Sequence, residues 1–381
     1  MDHSTHIIDP DGEVIIVLHN ANSPFAHPPE NDVPEDAPPE DAPPEDAPED
    51  APEDAPEDAP EDAPEDASPE EALPAEALPE DDAPGDYIVE MQPCERMNKR
   101  EFRIRVSAKH MMFASSFFKK CLTGAWKERE TYQQKGLAEV TAEGWDFEAL
   151  LIIIRAIHGQ YSLIPKKVTL EMLAKIAAIA DYYDCKDVLC IITDIWFSSL
   201  NKNITESPRD LVLWLWVSWF FKNPTQFKEA SSTAMSCTEG FIDVRGLPIP
   251  NQVIASMEKT RREAIENVML HIHQKCEDFL SGDQGCGFEC KSIMYGALTL
   301  QIRSRHLLSP TPVSPFPGIS YRNLVQEVLS FRSPRWYESS ASFPKRGHAL
   351  RHDCPYSSFK TLFANFNHSI EGLQFDELSN P

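Results

Sequence analysis

Positive charge is missing from a long stretch of this sequence. Residues 28–86 contain no lysine, arginine or histidine, yet they hold 25 of the chain's 61 acidic residues and 16 of its 32 prolines. The remainder carries 36 acidic against 35 basic side chains, so the formal net charge of −26 belongs to one segment and not to a folded surface. Without an excess or cluster of cations there is nothing to displace phosphate counterions, and no nucleic-acid partner is expected. Long apolar runs are missing too. The longest, Leu211 to Phe221, spans 11 residues and closes at Lys222, too short to cross a bilayer, so no membrane partner is expected either. No secretory signal opens the chain, since Ile7 and Ile8 soon meet Asp9-Pro10-Asp11-Gly12, and the expected location is cytoplasmic or nuclear. The nine cysteines are odd in number and thinly spread, and reduced thiols are the expectation. Finally, the sequence has no Walker loop, no dinucleotide glycine pattern after a strand, no Gly-x-Ser-x-Gly and no His-Glu-x-x-His. These absences argue against an enzyme.

What fills the acidic stretch is a repeat. Pro-Glu-Asp-Ala recurs eight times from Pro34, first at intervals of five residues and then of four. A proline every fourth residue removes amide donors and clashes with the preceding turn, so no helix propagates. The residue before each proline is pushed to extended geometry, and paired carboxylates repel. Residues 28–85 are therefore expected as a disordered, solvated, polyproline-like insert. Calcium is not expected there, because its loops need a glycine-centred turn and this tract has no glycine before Gly85. Ordered-looking sequence flanks the tract on both sides. Loop-closure entropy grows only logarithmically with length, so an insert between two strands of one sheet is expected.

On those flanks, Val14-Ile-Ile-Val-Leu18 reads as a buried strand after the Asp11-Gly12 turn signal. Tyr87 to Met91 is a short strand candidate. Phe102, Ile104 and Val106 alternate with Arg103 and Arg105, the period-two pattern of a half-buried strand. Ser107 stands where a cap would begin a helix through Met111 and Met112, and Ser115 and Ser116 precede a second helix with Phe117, Phe118, Cys121 and Leu122. Ala138 to Thr141 is another strand candidate. Phe147, Leu150, Leu151, Ile154 and Ile157 follow helical spacing, as do Leu170, Leu173, Ala177 and Ala180 behind a Thr169 cap, and a further helix runs from Val188 to Leu200. Asp146, Glu148, Asp181 and Asp184 are expected on solvated helix faces, and His110 and His158 as satisfied core histidines.

Phe102-Arg-Ile-Arg-Val-Ser-Ala-Lys-His110, followed by Ala114-Ser-Ser-Phe-Phe-Lys-Lys-Cys-Leu122, resembles the strand-to-helix signature of the BTB/POZ domain. Ile157-His-Gly-Gln-Tyr161 is similar to that family's helix-ending region, and Leu173 to Asp184 to its "leu-leu-x-x-ala-asp-tyr" helix. The opening Asp9-Pro10-Asp11-Gly12 resembles BTB proteins of the filamentous-fungal type. The resemblance covers residues 9–24 and 86–200, with the acidic repeat where the family has a short hairpin. It implies an α+β BTB/POZ fold, a small sheet capped by a helical cluster, followed by a mainly helical C-terminal region. It also implies a non-enzymatic interaction scaffold that forms a homodimer or docks a partner protein. The interface would comprise Val14, Ile16, Leu18, His110, Met111, Phe117, Phe118 and Leu122. Related roles are a substrate adaptor for a cullin-type ubiquitin ligase and a transcription-associated regulator. No kelch, ankyrin or MATH-like repeat supports the first role, and no zinc-finger array or basic region supports the second.

Residues 205–331 read as a helical C-terminal region and residues 332–381 as an irregular tail. Trp214, Trp216 and Trp219 in the apolar run are expected in a core helix, because so large an exposed patch would invite aggregation. Ile265, Val268, Met269, Ile272, Cys276 and Phe279 form a stripe on a helix from Arg261 to Leu280, and Tyr321 to Phe331 is the last long helix expected. Cys286 and Cys290, with His352 and Cys354 far downstream, are four side chains of the types that hold tetrahedral zinc. His271, His273 and Cys276 are alternative donors. The competing reading makes these cysteines small packing residues with no cofactor at all, and their wide spacing favours it.

Overall fold

The computed structural model describes residues 5–26, 101–124, 137–200, 204, 206–307, 312–338 and 350–375, all within one compact unit. The Pro-Glu-Asp-Ala tract and the strand candidate at Tyr87–Met91 lie outside these residues. The architecture is α+β: a small four-stranded mixed sheet accompanies a mostly helical body.

The sheet is ordered β1 (Thr5–Ile7), β3 (Phe102–Val106), β2 (Val14–His19), β4 (Ala138–Glu143). Strands β2 and β3 pair antiparallel with Leu18 opposite Phe102 and Val14 opposite Val106, while β4 runs parallel to β2 and β1 parallel to β3. Residues 20–101 thus connect two neighbouring strands, and the acidic repeat interrupts a hairpin. Strand β1 was not legible, because Thr5-His6-Ile7 is short and mostly polar. The alternation works as the pleat requires. Val14, Ile16, Leu18, Ile104, Val106, Ala138, Val140 and Ala142 are buried. Arg105, on the other face, donates through Nε to the Gly12 carbonyl at 2.8 Å. Gly12 is held by its surroundings: a Cβ there would stand 2.4 Å from the Val106 carbonyl oxygen, an approach only glycine permits.

Helices α1 (Ala108–Ala114) and α2 (Ser116–Thr123) follow β3. The Ser107 side chain does not cap α1. The Glu13 carboxylate accepts from the Ala108 amide instead, and His158 Nε2 accepts from the Ser107 amide, each at 3.1 Å. A carboxylate suits that end of a helix electrostatically. Ser115 does cap α2, accepting from the Phe118 amide, and its hydroxyl donates to the buried Tyr183 carbonyl. Helix α3 (Phe147–Ile157) is buried nearly all round, and α4 (Leu170–Tyr182) starts at the Thr169 cap. Asp146 corrects its expected solvated place: it caps α3 through the Ala149 amide at 3.0 Å and pairs with Lys175 at 2.9 Å. The helix expected from Val188 divides into a short 3-10 turn, Lys186–Leu189, and α5 (Cys190–Ser199).

The C-terminal half packs on this module directly. Helix α6 (Pro208–Phe220) carries the tryptophan run into the core, with Trp214 and Trp216 buried and the Trp216 indole donating to the Ala174 carbonyl of α4 at 3.2 Å. Arg209 pairs with Glu171 at 2.9 Å, and Lys186 donates to the Phe220 carbonyl. Helix α7 (Pro224–Cys237) uses the hydroxyls of Ser231 and Ser236 to accept from the amides of Leu373 and Ile370, strapping down the last described segment. Helix α8 (Asn251–Ser281) begins ten residues before the expected Arg261. Arg261 lies fully buried in mid-helix, its guanidinium donating to the carbonyls of Thr238, Pro315, Phe316 and Ile319. Helices α9 (Phe288–Ser304) and α10 (Tyr321–Leu329) complete the layer. The region from 332 is not wholly irregular as expected. It forms a two-stranded hairpin, β5 (Tyr337–Glu338) with β6 (Leu350–Arg351), then a single turn α11 (Phe359–Leu362) whose Phe359, with the following Phe363, is buried. The apolar side chains at Phe359, Phe363 and Ile370 explain this order, since each buried side chain of that size contributes about 1.5–3 kcal/mol.

Candidate metal centre

Four side chains from two distant segments converge at the start of α9. Cys286 lies in the Gly285–Gly287 turn and Cys290 one turn later, on the first turn of α9. His352 immediately follows β6, and Cys354 opens a tight turn in which the Ser357 hydroxyl accepts from the Cys354 amide at 3.1 Å and donates to its carbonyl at 2.8 Å. The hairpin positions His352: its amide donates to the Trp336 carbonyl at 3.0 Å, and its ring stacks on the Trp336 indole with centroids 4.4 Å apart. The ligand atoms of Cys286, Cys290, His352 and Cys354 all lie within 4.8 Å of one another. Cys286 Sγ is 3.4 Å from His352 Nε2, and Cys290 Sγ is 3.7 Å from Cys354 Sγ. Among the described residues this is the convergent group of metal-capable side chains. The alternative donors stay apart from it. His271 packs edge-on against Phe366 at 5.2 Å, and Cys276 lies half-buried with its thiol pushed up to about 11 by burial.

The three thiols share their protons unequally. Burial works to raise Cys354, but hydrogen bonds from His352, the Tyr356 amide, Cys290 and Cys286 outweigh it and bring it down to about 7. Cys290 goes the other way, pushed up to about 12, chiefly by burial. Three cysteine sulfurs beside an imidazole are a soft donor set suited to a d-block cation. Four protein donors would close a tetrahedral shell and leave no position for a reacting water.

Six of the eight expected interface residues fall in the core. Val14, Ile16, Leu18, Met111, Phe118 and Leu122 are all buried inside one chain and offer no surface; their apolar spacing reports the core of the monomer. Phe117 is half-buried against Phe118, Tyr182 and Tyr183. His110 is exposed and not a core histidine, its ring stacked at 5.0 Å on His158. His158 is half-buried and satisfied on both sides, since Nδ1 lies 2.8 Å from the Ile154 carbonyl while Nε2 accepts from Ser107. Burial lowers its pKa, and the Ile154 carbonyl partly offsets this. The residue that sequence reasoning missed on this face is Phe113, 96% exposed on α1. Its signal was positional: with Ala108 and Met111 turned inward, residues two positions on from Met111 must face out.

No family model, curated protein or solved structure matches the chain. No helix among the described residues is long and apolar enough to cross a membrane.

Proposed function

We propose that the chain is a non-catalytic protein–protein interaction scaffold of the BTB/POZ type that pairs with a second copy of itself through the outward face of α1. The observation that carries this reading is Phe113. It stands 96% exposed on a helix anchored by Glu13 and His158, next to the half-buried Met112 and one turn on from the exposed His110. Leaving such a side chain in water forgoes about 2 kcal/mol relative to burying it. A partner surface recovers that difference, and a rigid helix presents it at little entropic cost. The motif resemblance through Phe102–Leu122 supports the second copy as occupant, because the family it resembles uses its first helices for two-fold contacts. Such a contact is isologous, joining the same α1 face of both chains.

The non-catalytic part rests on how the polar groups are committed. A groove of about 540 Å³ runs between α7 and residues 369–374. Its Lys228 pairs with Glu371 at 2.8 Å, and its Ser232 hydroxyl donates to the Ile370 carbonyl. A photo-crosslinking amino acid, p-benzoylphenylalanine, in place of Phe113 in the full chain tests the pairing. The scaffold reading predicts a chain-to-chain adduct at twice the 43.0 kDa of one chain, and none with the same group at exposed Leu163. Irradiation in cells that yields only adducts with a different protein, such as a cullin-type ligase, would replace the second copy as occupant. An absence of any adduct at 113 would remove the α1 interface.

A further inference from the structure

We propose that Cys286, Cys290, His352 and Cys354 bind one Zn²⁺ ion as a closed structural site that pins residues 350–375 to α9. The proposal is independent of the α1 interface. Its first support is metric. Zinc bonds of about 2.3 Å to sulfur and about 2.0 Å to nitrogen, at tetrahedral angles, imply S···S edges of about 3.8 Å and S···N edges of about 3.5 Å. The Cys290–Cys354 and Cys286–His352 separations of 3.7 and 3.4 Å match both edges. A disulfide would need sulfurs about 2.05 Å apart, and all of these cysteines are free.

The surroundings are those of a ligand shell. Trp336 clamps the His352 ring so that Nε2 faces the sulfurs. Three thiolates and one imidazole select zinc over the hard cations magnesium and calcium, which take oxygen ligands.

The role follows from what the site joins. Strands β5 and β6 have two residues each and α11 four, too little local structure to stand alone. Coordination releases the thiol protons to solvent and replaces them with four bonds that tie this segment to α9, so metal affinity becomes folding free energy.

The test is elemental analysis of the full chain, purified under reducing conditions and desalted after exposure to Zn²⁺. One zinc per chain is expected, falling to a background on the order of a tenth in Cys354→Ser and in Cys286→Ser, while Cys237→Ser keeps the full content. Folding of each variant is checked by its helical circular dichroism. Two readouts need no variant. Co²⁺ loading of the wild type should give the intense visible bands of tetrahedral cobalt thiolate, and chelation should raise amide exchange in 350–375 while leaving β2–β4 unchanged. Zinc-free wild type after loading, zinc retained in the doubly substituted Cys286→Ser, Cys354→Ser chain, or a Cys290–Cys354 disulfide in the native protein would each overturn the proposal.

Discussion

Replacing Arg261 by methionine should destabilise the C-terminal layer more than any other single change to a charged residue described here. The side chain is fully buried, and it reaches four main-chain carbonyls, those of Thr238 at 3.1 Å, Pro315 at 3.1 Å, Phe316 at 3.3 Å and Ile319 at 2.7 Å. These carbonyls belong to two irregular segments, after α7 and before α10, which have no ladder of their own to join. Burial lowers the pKa of the guanidinium, and the neighbouring Glu258 carboxylate opposes that by favouring the charge. Methionine fills much of the volume but donates nothing, so each orphaned carbonyl that stays dry costs about 1–3 kcal/mol. Relaxation lets water reach some of them, which brings the expected loss to about 3–5 kcal/mol, the usual range for breaking a buried charged network. For a body of this size that is a fall in Tm of roughly 6–10 °C. Arg261→Lys should recover about half, because an ammonium reaches one or two of the four acceptors. Thermal unfolding measures the size, and hydrogen exchange should localise the loss to 238–250 and 312–320. A loss below about 1 kcal/mol, or one spread evenly over the sheet, would refute the view that Arg261 holds these segments.

Two further outcomes follow from the N-terminal module. Deleting residues 28–86 shortens the β2–β3 connection from about 82 to about 23 residues, which should leave the fold intact and stabilise it by about 1 kcal/mol through loop closure; aggregation of the shortened chain would contradict the hairpin-insert reading. His158 has a pKa lowered from 6.5 chiefly by burial, with the stacked His110 adding to the shift and the Ile154 carbonyl and Asp9 opposing it. The unfolded chain therefore takes up the proton first, so this histidine's contribution is present above pH 6.5 and is lost as pH falls below it. The Tm of the wild type should drop more steeply from pH 7.5 to pH 5 than that of His158→Gln, and parallel curves would count against it.

The strands and helices that sequence pattern revealed are those whose periodicity exceeds one repeat. Alternating Phe102–Val106 and the long apolar stripes of α3 and α4 leave one solution for which side faces in. Strand β1 escaped because three residues carry no period and its pairing with β3 is a tertiary fact. The burial of six expected interface residues escaped the sequence for a different reason. Val14, Ile16 and Leu18 read the same whether an apolar layer of the same chain or of another chain covers them, and only the packed structure shows that the covering layer is the chain's own. At the metal centre the residue types were legible and their convergence was not. Cys286 and Cys290 stand four residues apart, a spacing that leaves both packing and ligation open, and His352 and Cys354 reach them only because a hairpin and a fold of the tail carry them there.

The central claim, that this is a self-pairing scaffold whose contact is the outward face of α1, meets its most direct test in the light-scattering mass of the full chain across a range of concentration. Wild type is predicted to approach twice the 43.0 kDa of one chain, and Phe113→Asp, with unchanged circular dichroism, to remain at one. A wild type that stays monomeric at the highest concentrations, or a Phe113→Asp chain that pairs as well as the wild type, would contradict it.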